Sequence, residues 1–275
     1  MNAMIFAAGL GTRLKPHTDH CPKAMVEVDG KPMITHQLLR LRDAGFNRVV
    51  INVHHYAEQI IDYVTANNGF GLDIAFSDER GKLLDTGGGI RKALPLFDAN
   101  NPILIHNVDI FSNADLTALY ESHVNNGADA SLLVSKRNTS RYFVFDGEDN
   151  LVGWKNLHTG EVRTANEALR PTIEQLTGDD KQYRLRAFSG IHVISPSLFP
   201  LLEKQEEVFS ITNYYWQNSI KQCIRGINAP EGFQWVDAGK PEMLKRAREI
   251  VLIDKSQLTK LRLSENKDGL QTIDS

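Results

Sequence analysis

The chain has 275 residues, of which 41% are hydrophobic and 24% are charged, a composition typical of globular proteins. The formal net charge of −3 provides no basic field for nucleic acid, so we expect no nucleic-acid partner, and any anion site must be local. No apolar run approaches the roughly 18 residues of a membrane span, and the N-terminus lacks a basic leader, so we expect a cytoplasmic protein without a membrane partner.

Strands and helices alternate through the first half of the chain. The apolar run 3–8 ends at a glycine and predicts a buried parallel strand, and Pro32 begins a helical pattern that ends near Gly45. Further strands are predicted at 48–53, 72–77, 102–109 and 129–135, and further helices at 56–66, after the glycine-rich turn 87–89, and at 114–126. This alternation predicts the α/β class: a three-layer α/β/α sandwich with a mostly parallel, Rossmann-like mixed sheet.

The pattern changes after residue 136. Two β-rich runs around Gly147 predict a hairpin, and a further strand is predicted at 187–195. Helical patterns follow at 196–202, 212–223 and 240–253, with a short strand before the last of them. We predict one elaborated domain over 1–253 and a polar C-terminal tail over 254–275.

The loop after the first strand is the strongest chemical signal. Gly9 and Gly11 allow backbone N–H groups to turn toward an anion, and Arg13 and Lys23 add two cations. The dinucleotide fingerprint fails because Leu14 stands where a third glycine is needed, which argues against a dinucleotide oxidoreductase, and no Walker A motif is present. The plain alternative is a strand-to-loop turn with two solvated cations.

The run G-L-G-T-R, followed eight residues later by P-K, resembles the signature of the sugar-1-phosphate nucleotidyltransferases. The resemblance extends from Met4 to about Arg248, and it is greatest to N-acetylmuramate-1-phosphate uridylyltransferases and mannose-1-phosphate guanylyltransferases. It implies that Arg13 holds the leaving pyrophosphate and that Lys23 neutralises charge at the phosphorus under attack. It also implies nucleotide contacts from the rest of the loop, namely Ala7, Ala8, Gly9, Gly11 and Thr12.

Two aspartates follow predicted strands and are candidates for a magnesium site. Asp109 ends the apolar strand at 102–109, and Asp237 lies in the W-V-D-A-G motif. By the resemblance, these two carboxylates hold Mg²⁺ together with substrate phosphates. Either aspartate by itself could equally be a turn or helix-capping residue. Val108 stands where many family members have glycine, which leaves the local backbone geometry open.

The segment 78–90 resembles the region that contacts the base and ribose in this family. The resemblance implies that Glu79 reads the base edge and that Thr86, Gly87 and Gly88 provide backbone contacts. The alternative is an ordinary helix N-terminus with Asp85 or Thr86 as its cap, and both can hold together.

The residues predicted to contact the acceptor are supported by shorter matches to the family's motifs. Asn107 is implied to contact the ribose or the sugar, and Ser189 and Gly190, in A-F-S-G-I, are implied to face the sugar ring. Lys155 is the nearest match to the family's lysine beside the acceptor phosphate. The alternative for Lys155 is an exposed lysine after a strand. The alternative for Ser189 and Gly190 is a buried strand with a glycine bulge.

The resemblance implies transfer from an NTP to a sugar 1-phosphate, giving an NDP-sugar and pyrophosphate, with UTP favoured and GTP next. The nucleotide-binding half would span about 1–135 and the sugar-binding half about 136–253. One alternative is a choline-phosphate cytidylyltransferase of the same fold, whose substrate would need an aromatic cage. Four aromatic residues could supply it, namely Trp154, Tyr214, Tyr215 and Trp216. Another alternative is a non-catalytic regulatory relative that binds nucleotide or sugar.

Overall fold

The computed structural model describes residues 1–252, and the tail predicted for 254–275 lies outside them. The strands are β1 (Asn2–Phe6), β2 (Glu27–Val28), β3 (Lys31–Pro32), β4 (Arg48–Val53), β5 (Asp73–Asp78), β6 (Ile103–Asn107), β7 (Ile110–Ser112), β8 (Ala130–Ser135), β9 (Arg141–Phe145), β10 (Leu151–Asn156), β11 (Val162–Arg163), β12 (Arg184–Ile194), β13 (Ile224–Asn228) and β14 (Trp235–Asp237). The helices are α1 (Met33–Asp43), α2 (Ala57–Ala66), α3 (Asp85–Ala93), α4 (Leu116–Asn126), α5 (Arg170–Gln175), α6 (Phe199–Glu203) and α7 (Ile211–Asn218), and residues 244–252 are also helical.

One large mixed sheet organises the molecule. Its strand order is β11-β10-β9-β12-β6-β1-β4-β5, with β8 paired to β12 and β13 paired to β8. Strands β6, β1, β4 and β5 are parallel, as the alternation of strands and helices predicts. The long strand β12 is antiparallel to β6, β8 and β9, and it joins the two halves of the sheet.

Helices cover both faces of this sheet. In β1, Ala3 and Ile5 point into a core that also contains residues of α1, α2 and α4, whereas Met4 points into a second core with residues of α3, α6 and α7. Successive side chains of a strand point to opposite faces, so a strand buried on both faces reads as a continuous apolar run. The predicted α/β/α sandwich is confirmed.

Several elements differ from the sequence-based expectation. The three glycines at 87–89 lie inside α3, which already begins at Asp85, where the Asp85 carboxylate accepts the Thr86 N–H at 2.6 Å. Strand β13 was not predicted, because Gly226 interrupts its apolar pattern. A Cβ at Gly226 would lie 3.0 Å from the Phe145 ring, so packing accounts for the glycine. Among residues 1–252, no helix is both long and apolar enough to cross a membrane.

Candidate active site

The loop after β1 is anchored from beneath by a side chain of β4. Asn52 Oδ1 accepts the backbone N–H of Ala7 at 2.7 Å and that of Ala8 at 3.3 Å. This contact fixes the backbone where the strand ends and the glycine turn begins. Sequence reasoning missed Asn52, although a polar residue inside the apolar run RVVINV is a detectable signal.

Gly11 is required by the conformation of this loop. Its φ of +66° lies in the left-handed region, and a Cβ there would come within 2.9 Å of the Thr18 side chain. The Thr18 hydroxyl also donates to the Gly11 carbonyl at 2.8 Å, which closes the turn. Thr12 and Arg13 then form a short 3₁₀ turn that begins directly after Gly11. The loop is therefore a defined turn, and it directs Arg13 toward the aspartates.

Two ion pairs bring the four predicted catalytic and metal residues together. The Lys23 ammonium contacts the Asp109 carboxylate, and Arg13 Nη2 lies 3.5 Å from Asp237 Oδ2. The Lys23 and Asp109 side chains are only 15% and 8% exposed, whereas those of Arg13 and Asp237 are 56% and 36% exposed. One pair is therefore shielded, and the other is open to an incoming ligand.

A short β-ribbon outside the main sheet places the two aspartates side by side. Strand β14 pairs antiparallel with β7, so that Asp237 lies opposite Ile110, directly after Asp109. The Ala238 N–H also donates to the Asp109 carbonyl at 2.8 Å. The two motifs lie 128 positions apart in sequence, and this ribbon is what joins them.

Gly239 leaves the space in which these side chains converge. A Cβ at Gly239 would lie 2.7 Å from both Arg13 Nη2 and Asp237 Oδ1, and 3.0 Å from Asp109 Oδ2. Its N–H donates to Asp237 Oδ1 at 2.8 Å. Any larger residue would push the charged groups apart, which explains the glycine at the end of W-V-D-A-G.

The two carboxyls differ in acidity. Burial raises the pKa of Asp109 to about 6; Lys23 opposes this rise and Asp237 adds to it. Burial alone would also raise the pKa of Asp237, but its hydrogen bonds with Asp109 and the Gly239 N–H, and the charges of Lys23 and Arg13, lower it below the ordinary value. Two carboxyls in contact favour a cation between them.

The donor set fits Mg²⁺. Magnesium is held by one or two carboxylates together with substrate phosphates, rather than by a full cage of protein ligands. Within residues 1–252 no group of three or more His, Cys, Asp or Glu side chains could hold a metal. Asp109 and Asp237 would hold Mg²⁺ as part of a ligand set that substrate phosphates complete.

Glu79 is buried beside the same loop. It is 1% exposed; its Oε1 accepts from Asn52 Nδ2 at 2.7 Å, and its Oε2 accepts the Leu84 N–H at 3.2 Å. The predicted contact with the base edge stays a prediction. In this structure Glu79 orients Asn52, and Asn52 in turn holds Ala7 and Ala8.

The N-terminus of α3 packs against the segment before α7. The N–H groups of Gly87 and Gly88 both donate to the Phe209 carbonyl, at 2.8 and 3.2 Å, and the Thr86 hydroxyl accepts the Ile211 N–H. A Cβ at Gly87 would lie 2.2 Å from the Phe209 ring, so this close approach requires glycine. The nucleotide contacts of Thr86, Gly87 and Gly88 stay predictions, because protein groups hold these donors here.

The predicted sugar-side residues meet at the junction of β6 and β12. Gly190 has a φ of +73°, and a Cβ there would lie 2.9 Å from Asn107 Nδ2. Ser189 is fully buried, and its hydroxyl has no hydrogen-bond partner among residues 1–252. Since Asn107 lies two residues before Asp109, this junction adjoins the paired carboxyls. The sugar contacts of all three residues remain predictions.

Lys155 lies in different surroundings. It is 4% exposed, and its ammonium donates to the carbonyls of Ile173, Glu174 and Leu176 at 2.9, 2.6 and 2.6 Å. Burial lowers its pKa. An ammonium has three donors, so Lys155 is fully used in capping the end of α5. Its predicted contact with the acceptor phosphate stays a prediction that this geometry does not support.

The aromatic residues that could form a choline cage have other partners. Tyr214 and Tyr215 are 2% and 0% exposed and belong to the core beneath the sheet. The face of Trp154 is covered by the Arg163 guanidinium at 4.8 Å, and Trp216 Nε1 donates to Asn213. Nothing in this arrangement favours a choline acceptor.

Val108 fits its position without strain. It is 2% exposed, its φ is not positive, and its N–H donates to the Phe6 carbonyl at 3.2 Å. Its carbonyl accepts from Gln37 Nε2 at 3.3 Å. The difference from the family pattern therefore leaves the backbone ahead of Asp109 intact.

The geometry agrees with a comparison to known sequences. Residues 2–167 match the family described as nucleotidyl transferase. The chain belongs to this family. It is a nucleotidyltransferase, and the loop, the two cations and Asp109 all lie within the matched part. Asp237 and Gly239 lie beyond it.

Relatives of this nucleotidyltransferase match most of its length. The chain is 34% identical over 203 residues to an N-acetylmuramate alpha-1-phosphate uridylyltransferase of Neisseria meningitidis, covering 74% of this chain and 79% of the relative. The corresponding protein of Caulobacter vibrioides is 31% identical, with 87% and 92% covered. A mannose-1-phosphate guanyltransferase of Pichia angusta is 28% identical, with 88% and 62% covered.

A solved structure supports the fold of this nucleotidyltransferase. HddC from Yersinia pseudotuberculosis, complexed with GMP-PN, superposes with a TM-score of 0.66 at 22% identity, covering 90% of this chain and 98% of that one. This likeness confirms the α/β fold with its mostly parallel mixed sheet.

Proposed function

We propose that this protein transfers a nucleotidyl group from an NTP to a sugar 1-phosphate, releasing pyrophosphate and an NDP-sugar. The observation that carries the proposal is that two cations and two carboxylates converge around Gly239, namely Arg13, Lys23, Asp109 and Asp237. They meet beside the glycine turn after β1, whose backbone N–H groups can face a phosphate. The relatives named above are sugar-1-phosphate uridylyl- and guanylyltransferases, which supports the acceptor class.

In the proposed reaction, an oxygen of the acceptor phosphate forms a bond to the α-phosphorus as the bond to the β-phosphate oxygen breaks. The electron pair of the broken bond leaves with pyrophosphate. A sugar phosphate is already ionised near neutral pH, so no general base is required. Positioning and charge neutralisation therefore account for the catalysis.

Each cation has a separate task. The exposed guanidinium of Arg13 presents forked donors that suit the leaving pyrophosphate. The shielded ammonium of Lys23 acts as a point charge beside the α-phosphate, where low exposure strengthens its effect. The backbone from Ala7 to Thr12 lies along the triphosphate.

Asp109 and Asp237 would hold Mg²⁺, which neutralises charge on the α-phosphate and on the attacking phosphate when bound. Asn107, Ser189 and Gly190, at the junction of β6 and β12, would form the floor of the sugar pocket. We favour UTP, with GTP next, because relatives of this chain include uridylyl- and guanylyltransferases. Asn52 and Glu79 then shape the wall against which the nucleoside lies.

The test is pyrophosphate release from UTP, GTP, CTP, ATP and dTTP, each with a panel of sugar 1-phosphates and with choline phosphate, in the presence of Mg²⁺ and then of EDTA. We expect release with one matched pair, lost in EDTA. If folded protein binds nucleotide but releases no pyrophosphate with any pair, the non-catalytic regulatory reading replaces this proposal.

A further inference from the structure

A second arginine lies near the paired carboxyls, on the side of the acceptor half. Arg137 follows β8, and its guanidinium carbon lies 3.8 Å from the ring centroid of Trp235. Trp235 and Asp237 are two residues apart on β14, so their side chains leave the strand on the same face, about 7 Å apart along it. Burial lowers the pKa of Arg137, and the charge of Asp237 opposes that shift, which agrees with this proximity.

The guanidinium of Arg137 is fixed in place but not fully satisfied. One terminal nitrogen donates to the Phe188 carbonyl at 2.7 Å, and Trp235 Nε1 donates to the Ser189 carbonyl at 2.8 Å. Arg137 Nε is buried and has no hydrogen-bond partner among residues 1–252. This nitrogen is enclosed by protein, so a ligand in contact with the guanidinium would have to meet its terminal nitrogens.

The surrounding space is large enough for part of a sugar. Arg137 and Trp235 line a cavity of about 510 Å³ at the surface between β8 and the turn before β14. The other two cations of this cavity, Lys136 and Arg186, are both paired with the Asp179 carboxylate, at 3.1 and 2.8 Å. Arg137 is therefore the cation of this cavity whose charge no carboxylate within 4 Å neutralises in the described chain.

We propose that Arg137, stacked over Trp235, binds an anionic group of the acceptor, either its phosphate or a carboxylate on its sugar. The inference rests on the proposed function and gives the acceptor an anchor separate from Arg13, Lys23 and the two aspartates. Arg137 is a positioning residue, because its donors hold the acceptor while the bond changes occur at the α-phosphorus. An anion bound there would neutralise a guanidinium charge that no carboxylate within 4 Å pairs in the described chain.

A second arginine–tryptophan stack provides a matched control. The Arg163 guanidinium lies 4.8 Å above Trp154, but its Nε donates to Glu161 at 2.7 Å and a terminal nitrogen donates to Asn213 at 3.0 Å. In both stacks the guanidinium carbon lies over an indole ring. They differ in that Arg163 already has a carboxylate partner.

The experiment measures steady-state constants for Arg137→Met, Arg137→Lys and Arg163→Met with the active NTP. The acceptors are N-acetylmuramate 1-phosphate and N-acetylglucosamine 1-phosphate, each as substrate or as competitive inhibitor. For Arg137→Met we expect the acceptor KM or Ki to rise about 10- to 100-fold, because the variant loses a charged hydrogen bond to the acceptor. The KM for NTP should be unchanged. Arg137→Lys should fall between this variant and wild type, and Arg163→Met should match wild type.

The two acceptors identify the anion. A rise for both compounds means that Arg137 binds the phosphate, and a rise confined to the muramate compound means that it binds the carboxylate. Added guanidinium ion should partly restore acceptor affinity in Arg137→Ala. An unchanged acceptor KM in folded Arg137→Met, or equal changes in the acceptor and NTP constants, would overturn the inference. Wild-type turnover, measured in the same assay, tests the proposed function separately.

Discussion

Lys23 and Lys155 are both lysines for which the sequence predicts a phosphate contact, and they lie in opposite kinds of surroundings. Lys23 is paired with the Asp109 carboxylate, which in turn contacts Asp237. Lys155 donates to three backbone carbonyls at the end of α5. Both ammonium groups are largely shielded from solvent, so exposure alone does not separate them.

The difference lies in what the partners can do. The Ile173 carbonyl also accepts the Leu176 N–H at 3.2 Å, but the carbonyls of Glu174 and Leu176 would lose their donor if the lysine left, so Lys155 is held in a structural role. The partner of Lys23 is the Asp109 carboxylate, which is expected to bind a cation. A substrate phosphate can then replace this carboxylate as the partner of the Lys23 ammonium. A lysine in a functional site is thus recognised by an exchangeable partner, which only the tertiary structure reveals.

The largest expected effect tests the two carboxylates beside Lys23. Asp109→Asn and Asp237→Asn should each lower kcat by at least about 1,000-fold, because each removes a charged ligand of the proposed metal. The thermal midpoint should change little. Turnover at a series of Mg²⁺ concentrations and thermal unfolding measure the two quantities. Near-normal turnover in either variant would remove that residue from the metal site.

The next effect tests Lys23 itself. Lys23→Met should lower kcat by about 100-fold, the loss of one preorganised charge in a shielded site. Lys15→Met is the matched control, because Lys15 lies on the same loop, its side chain is 65% exposed, and it pairs with Asp19 at 3.5 Å. We expect the control to keep wild-type turnover. Equal losses in both variants would mean that the loop responds to any change of charge.

A smaller effect is expected beneath the nucleotide loop. Asn52→Ala should raise the KM for NTP by about tenfold, because the N–H groups of Ala7 and Ala8 lose their shared acceptor. The acceptor KM should be unaffected. Steady-state titration of each substrate separates the two constants, and a change confined to the acceptor would contradict the role assigned to Asn52.

The smallest effect on activity is expected at Lys155. Lys155→Met should lower the free energy of unfolding by about 2 kcal/mol, since it leaves carbonyls at the end of α5 without a donor. The acceptor KM should stay within about twofold of wild type. Denaturant unfolding and kinetics measure the two, with the exposed Lys221→Met as control. A raised acceptor KM with unchanged stability would instead support the sequence-based role in phosphate binding.

Apolar continuity made much of the fold predictable. The strand predicted at 48–53 matches β4 at both ends, because a strand buried on both faces leaves a nearly continuous apolar run, which Asn52 interrupts between Val49 and Val53. Strand β12 begins three residues earlier than predicted. Its first residues include Arg186, which is buried and paired with Asp179 at 2.8 Å. A buried ion pair breaks the apolar pattern, so the sequence alone predicts that the strand begins too late in the chain.

The sequence by itself determined the α/β class, the glycine turn, and the identity of Arg13, Lys23, Asp109 and Asp237 as candidates, because local patterns and one long motif carry that information. Only the tertiary structure decided which charges meet. The pairing of β7 with β14 joins two aspartates that lie 128 positions apart in sequence, and it leaves Arg137 stacked over Trp235 beside them. Long-range pairing depends on the packing of the whole sheet, which no local pattern records.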